Sequence, residues 1–190
     1  MKILQTVVLS LLMTVLVLPA ARAAEVFTVD AVHSVVGYKI GHNQVSNSYG
    51  VFTGISGTVS VDEAEPLNSK VNIEVKADSV NSYNADRDEH LKGPDFFNAK
   101  QFPVITFAST SAKKISDTEY EITGDLTLLG TTKSVTAKVA YLGTGTGRDG
   151  EALLGLEAKL NIKRSDFGMT YGIPMVGDEV ELTIAIEATK

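Results

Sequence analysis

Glu119-Tyr120-Glu121-Ile122-Thr123-Gly124-Asp125-Leu126-Thr127-Leu128-Leu129-Gly130-Thr131-Thr132-Lys133-Ser134-Val135-Thr136-Ala137-Lys138-Val139-Ala140-Tyr141 carries two alternations around one turn. In the first half, Tyr120, Ile122, Leu126 and Leu128 alternate with Glu119, Glu121, Thr123, Asp125 and Thr127. In the second, Val135, Ala137, Val139 and Tyr141 alternate with Ser134, Thr136 and Lys138. Successive side chains of a strand point to opposite faces, so each half reads as a strand with one apolar and one wet face. Leu129-Gly130-Thr131-Thr132 between them reads as a tight hairpin turn.

The same period recurs on both sides. Val51, Thr53, Ile55, Gly57, Val59 and Val61 point one way. Val71, Ile73 and Val75 form a second set, Leu154, Leu156, Ala158, Leu160 and Ile162 a third, and Val180, Leu182, Ile184 and Ile186 a fourth. Val26 to Ile40 reads as a long first strand, and Val104 to Thr110 as a strand introduced by Pro103. Eight strands separated by short turns predict an all-β fold, an antiparallel barrel or sandwich. Gly143 to Gly150 reads as a mobile hairpin loop; it lacks the Lys-Ser/Thr ending of a phosphate cradle. One stretch breaks the pattern. Asn84 to Leu91 is charged and helix-compatible, and Pro94-Asp95-Phe96-Phe97 can begin a second helical turn. Such an insertion could cap one end of a barrel.

The start of the chain reads differently. Met1-Lys2 precedes an apolar run from Ile3 to Leu18, Pro19 ends it, and Ala21-Arg22-Ala23 offers small residues at a cleavage site. This is the layout of a secretory signal peptide over 1–23, and the run is short for a spanning helix. Export is expected, with residues 24–190 as one domain and no stable membrane anchor after removal. Of the 17 basic residues, Lys2 and Arg22 lie in that segment, leaving 15 against 23 acidic ones, a formal charge of −8. That balance argues against a nucleic-acid partner and against adhesion to anionic lipid. There is no cysteine, which excludes a disulfide scaffold, a thiolate metal site and a cysteine nucleophile.

The inward set is mostly Val, Ile, Leu and Ala, and the chain has no tryptophan. An eight-stranded barrel is just wide enough to be filled by side chains or to hold one small ligand. Alternation alone leaves both readings open: a filled core, or a void suited to a chain-like hydrocarbon.

Eight stretches, in order, carry a resemblance. They are Val29-Asp30-Ala31-Val32-His33-Ser34, Gly50-Val51-Phe52, Asp86-Arg87-Asp88-Glu89-His90-Leu91, Asp95-Phe96-Phe97, Phe102-Pro103-Val104-Ile105-Thr106-Phe107, Gly124-Asp125-Leu126-Thr127-Leu128-Leu129-Gly130, and Arg164-Ser165-Asp166-Phe167-Gly168-Met169 with Val176-Gly177-Asp178-Glu179-Val180. Across 25–190 the chain resembles the YceI family of bacterial periplasmic proteins. The resemblance implies a lipocalin-like, extended eight-stranded antiparallel barrel with a tubular apolar cavity. It also implies a polyisoprenoid lipid or quinone as partner; a homodimer is compatible with it. Many members carry Trp or Tyr just before the first strand, where this chain has Phe27, a difference expected to affect packing at the barrel mouth.

The expected wall is Tyr38, Ile40, Ile55, Ile73, Val75, Phe107, Leu126, Leu128, Val139, Leu156, Leu160, Leu182 and Ile184. The expected mouth is Arg87, Phe96, Phe97, Phe167 and Met169. Arg87 could meet a polar ligand head or tie the insertion to the barrel. Asp166 could cap the turn into Phe167-Gly168-Met169. The histidines His33, His42 and His90 are scattered, with no close pair, so neither a metal nor another cofactor is expected. Asp30, His33 and His42 mark where an ion would be sought. An unbroken strand puts His33 and His42 on opposite faces. Ser34 beside His33 permits a triad on paper, but no nucleophile-elbow motif is present, and no catalytic residue is assigned. The rival functions are an enzyme acting on a lipid-like substrate in the cavity, and a structural interaction protein with a filled barrel.

Overall fold

The computed structural model describes residues 24–62 and 65–190. The expected signal segment, 1–23, lies outside them. Eleven strand segments build one sheet that closes on itself as an eight-stranded antiparallel barrel. Two of the eight strands are broken. The first consists of β1 (Glu25–Val29) and β2 (Val35–His42), the second of β3 (Ser46–Phe52) and β4 (Ile55–Val61). Then come β5 (Lys70–Lys76), the two-residue β6 (Val80–Asn81), α1 (Ala85–Lys92), β7 (Val104–Lys114), β8 (Glu119–Leu128), β9 (Thr131–Thr146), β10 (Ala152–Lys163) and β11 (Val176–Thr189). β11 pairs with β10 on one edge; on the other it meets β2 from Val176 to Ala185 and β1 at Ala188 and Thr189. Last strand returns to first, which closes the barrel.

The breaks correct the sequence reading. Val26 to Ile40 is not one strand, because Asp30 to Ser34 form a turn. Asp30 accepts from the Val32 amide at 2.7 Å, and Ser34 Oγ takes the place of a backbone partner against Glu187, accepting from its N–H at 3.0 Å. The alternation from Val51 to Val61 also fails to run through. Phe52 and Ile55 are both buried, so the stretch Thr53-Gly54 shifts the phase and Val51 points away from the core. β9 continues to Thr146, so the glycine-rich loop is shorter than expected, and Gly143 sits beside a register shift at Gly155/Leu156. The β8–β9 hairpin closes on Leu129 and Gly130, both at positive φ (52° and 72°), the conformation of a two-residue type I′ turn.

One end of the barrel carries the starts of β1, β5, β8 and β10. The other carries the β2–β3 turn at 43–45, the insertion 77–103, the Leu129-Gly130 turn and the loop 164–175. α1 lies in that insertion. Asn84 caps it, accepting from the Arg87 amide at 2.9 Å, with Asp86 and Asp88 in the first turn and His90 and Lys92 in the last. The stretch after it, Pro94 to Phe97, is a turn and not a second helix. It is closed by backbone bonds such as Phe97 N–H to Leu91 O at 2.9 Å.

Candidate functional site

At the first of these ends, Phe27, Val29, Ile55, Val59, Leu154 and Ala188 are almost wholly buried and pack as one cluster. None of the six lines the interior void. They form a plug. Phe27, 4% exposed, is its aromatic member, so the difference from the family pattern falls at the closed end and not at the mouth as expected.

Above the plug the same inward faces line a cavity of about 400 Å³, within the usual range for a small-molecule site. Of the expected wall, Tyr38, Ile40, Ile73, Val75, Phe107, Leu126, Leu128, Val139, Leu156, Leu160, Leu182 and Ile184 face it. Ile55 does not, because it lies one layer down in the plug. Of the expected mouth, Arg87, Phe96, Phe97 and Met169 reach it. Phe167 does not: the short helical turn Arg164–Phe167 ends at Gly168 (φ 87°), and Phe167 is 2% exposed in a cluster with Phe96, Leu128 and Met169. Val36, Phe52, Ile162, Val176, Val180 and Ile186 also line the void and were not singled out. All but Val176 and Phe52 extend an alternation already visible, so the signal for them was present. Phe52 was hidden by the phase shift after it.

Two glycines keep large rings flat against the wall. Gly50 is the cross-strand partner of Tyr38, and a Cβ there would collide with the phenol ring. Gly124 gives the same room to Phe107. The rings therefore line the lumen without crossing it. Burial pushes the Tyr38 phenol up to about 12, so it is a neutral donor and acceptor near the insertion.

The mouth is held by polar struts. Arg87 donates to Ser82, through Nε to Oγ at 2.8 Å and through Nη2 to the carbonyl at 2.6 Å. Asp88 accepts from the Ser82 amide and hydroxyl, both at 2.6 Å. The Ser82 hydroxyl, first among several causes, holds the Asp88 carboxyl below the usual carboxylate range. Arg87 thus ties α1 to the residue that follows β6, the segment paired with β3, while still bordering the cavity.

Arg164 is a polar site residue that was not singled out. It is 2% exposed and donates to four backbone carbonyls. These are Gly177 at 2.7 Å, Val176 at 2.8 Å, Tyr171 at 2.9 Å and Met169 at 3.1 Å. Burial lowers its pKa, offset in part by the Asp178 carboxylate. Asp178, and not Asp166, secures the turn, accepting from the Ser165 amide at 2.9 Å and hydroxyl at 2.8 Å. The loop 168–177 is therefore built around one guanidinium.

Across the mouth, three rings meet. His90 of α1 stands edge-on to Phe96 at 5.0 Å and to Tyr171 at 5.3 Å, and Phe96 meets Tyr171 at 5.3 Å. His90 Nε2 also bonds Asp95 at 2.9 Å. Phe97 stands edge-on to Phe52 at 5.2 Å. The insertion and the loop 168–177 so close over the void with aromatic contacts.

Asp30 and His33 do come together, at 2.7 Å, but their third neighbour is Glu187 and not His42. His42 lies at the other end of β2, on the cavity rim. The strand break removes the parity argument that separated the two histidines.

The chain matches the model of the YceI-like domain over residues 27–188. It is 40% identical over 158 residues to Protein YceI of Salmonella newport, covering 83% of this chain and 82% of that protein. The crystal structure of BcnA from Burkholderia cenocepacia superposes with a TM-score of 0.77 at 26% identity, over 85% of this chain and 99% of that one. A polyisoprenoid binding domain from Saccharophagus degradans, implicated in plant cell wall breakdown, shares the fold. It superposes with a TM-score of 0.64 at 15% identity, over 86% of this chain and 97% of that one.

Proposed function

The chain belongs to the family of YceI-like domains, and from that premise we propose that it is a periplasmic binding protein that holds a polyisoprenoid lipid, a quinone or polyprenyl chain, inside its barrel. Its partner would be that lipid, and it would act without catalysis, after loss of residues 1–23. One observation carries the reading: the barrel is plugged at one end and hollow above the plug, with a wall that is almost entirely hydrocarbon. An isoprenoid tail in water has an unfavourable apolar surface, and its burial is worth ~25 cal/mol per Å² before ordering costs. The solved polyisoprenoid binding domain of the same fold supports this choice of ligand class.

The tail would lie against Ile40, Ile73, Val75, Phe107, Leu126, Leu128, Val139, Leu156, Leu160, Leu182 and Ile184. Tyr38 and Arg87 would face the polar head, and Phe96, Phe97 and Met169 would cover it. The arginines near the cavity are already committed to protein acceptors, Arg164 to four carbonyls and Arg87 to Ser82.

Native mass spectrometry with solvent extraction, on protein purified from its own periplasm, tests the reading. The expected result is one co-purifying polyisoprenoid per barrel, with retention impaired in Leu156→Glu. An empty protein that also fails to take up added quinones or polyprenols would overturn it.

A further inference from the structure

The rim of the mouth divides into two halves of opposite character. The insertion half is charged: Asp86, Arg87, Asp88, Glu89, Lys92, Asp95 and Lys100 all lie between Ser82 and Pro103. The other half is made by the β2–β3 turn and the loop after the Arg164 turn. From His42 to Ser48, and again from Gly168 to Gly177, no Asp, Glu, Lys or Arg occurs, in a chain of formal charge −6. Large apolar side chains stand out from these two segments. Val45 is 86% exposed, Met175 63% and Tyr171 49%, with Ile173 also exposed. The two segments are one surface, because the Asn43 amide donates to the Met175 carbonyl at 2.6 Å. Neither tip is loose. Asn43 and Gln44 hold positive φ in a tight turn, and Arg164 braces the loop from below through Met169, Tyr171, Val176 and Gly177.

We infer that this uncharged half-rim is a membrane-docking surface, with the headgroup region of an electrically neutral bilayer as its partner. Three features of the surface select that partner. Aliphatic tips with a tyrosine behind them are the arrangement that side chains adopt at a bilayer interface. The absence of charge over both segments removes the largest desolvation cost, that of burying an ion, from seating them there. The surface is also continuous with the cavity: Tyr171, His42 and Val176 border both. A chain leaving the bilayer would pass from lipid to barrel wall without crossing water. The acidic balance of the rest of the molecule sets the choice of lipid, since an anionic surface repels it.

Docking couples to opening. Tyr171 belongs to the exposed surface and to the ring contacts with His90 and Phe96 that close the mouth. Immersing Tyr171 in the interface competes with those contacts and releases the α1 side. This step of the inference rests on the cavity being a lipid container; docking itself does not require it.

Vesicle flotation tests the inference, using protein purified from its own cell and vesicles of phosphatidylcholine alone or mixed with phosphatidylglycerol. The expected result is binding to phosphatidylcholine vesicles that added salt does not weaken, and weaker binding as phosphatidylglycerol replaces it. Val45→Asp with Met175→Asp should lower the bound fraction about tenfold, the effect of losing one exposed side chain's burial or more. Both positions are exposed, so the variant should unfold at the parent's temperature, and Val45→Leu with Met175→Leu should bind as the parent does. Leu156→Glu should still float while losing its lipid, which separates failure of the cavity reading from failure of docking. Absence of flotation, flotation unchanged by the two aspartates, or self-association at this face in place of flotation would each overturn the inference.

Discussion

The two ends of the barrel are sealed by different kinds of chemistry. The closed end is a layer of apolar side chains, Phe27, Val29, Ile55, Val59, Leu154 and Ala188. The open end adds directional bonds to its ring contacts and to the cluster of Phe96, Leu128, Phe167 and Met169: Arg164 to four carbonyls, Asp178 to Ser165, and Arg87 and Asp88 to Ser82. Apolar packing is non-directional and works only if water is fully excluded. It suits an end that never opens. Hydrogen bonds fix the loops of the mouth in place, which sets where its rings stand against the lumen. The difference teaches that a void in a barrel is kept open by what is done at its ends.

The largest test of the contrast is at the plug. Phe27→Ala should destabilise the protein by about 3–5 kcal/mol, the usual cost of removing a buried aromatic side chain. Urea unfolding of lipid-free protein measures it. The lumen should lengthen and not fail, so uptake of a longer polyprenol should survive in the fraction that folds. If Phe27→Ala costs no more than a wall substitution, the plug is not a distinct structural layer.

Arg164→Leu comes next. Removing the guanidinium leaves buried carbonyls without donors, and a loss of about 3 kcal/mol is expected. Unlike Phe27→Ala, the damage should be local. Hydrogen exchange should rise from Met169 to Gly177 while the amides of Phe27 and Leu154 keep their protection. Uniform loss of protection over both ends would mean that the mouth and the plug are one cooperative unit.

Wall substitutions should be milder. Leu160 is only half-buried, because one side of it faces the void. Leu160→Ala in lipid-free protein should therefore cost about 1 kcal/mol, well below the value for a packed core leucine. The same change in lipid-loaded protein should cost more, because the ligand supplies the missing contacts. Equal costs in the two states would place Leu160 away from the ligand.

This contrast also explains what the sequence could disclose. Period-two alternation tells which face is inward, so the strands, the barrel and most of the wall were legible from it. It does not tell whether an inward atom finds a partner across the lumen, and so Ile55 and Leu156 read alike. The void is decided by side chains from strands distant in sequence, such as Phe27 against Leu154 and Ala188. Arg164 was illegible for a similar reason: its acceptors are backbone carbonyls, which every residue has. Phe167 was misplaced because a left-handed Gly168 turns the chain where the pattern gives no period to follow.

The smallest expected effect lies at the seam between the two halves, where β1 ends and β2 begins. There Asp30 and His33 form an exposed pair at 2.7 Å, and the Asp30 amide and Ser34 hydroxyl anchor the turn to the Glu187 carbonyl at 2.8 and 3.1 Å. The His33 hydrogen bond holds the Asp30 carboxyl below its ordinary value, and the same bond raises the His33 imidazole above its own. A lowered carboxyl adds stability above the unfolded carboxylate range and loses it as pH falls through its folded value. A raised imidazole adds stability below its unfolded value of about 6.5 and loses it as pH rises through its folded value. The pair therefore contributes in mildly acidic solution and fades on either side, and salt weakens it because both groups face water. In an NMR titration, Asp30→Asn should return His33 toward the ordinary histidine range. If His33 titrates identically in both proteins, the pair does not hold the turn. The junction of plug and lumen would then rest on Ser34 and Glu187, and Ser34→Ala would be the more damaging change.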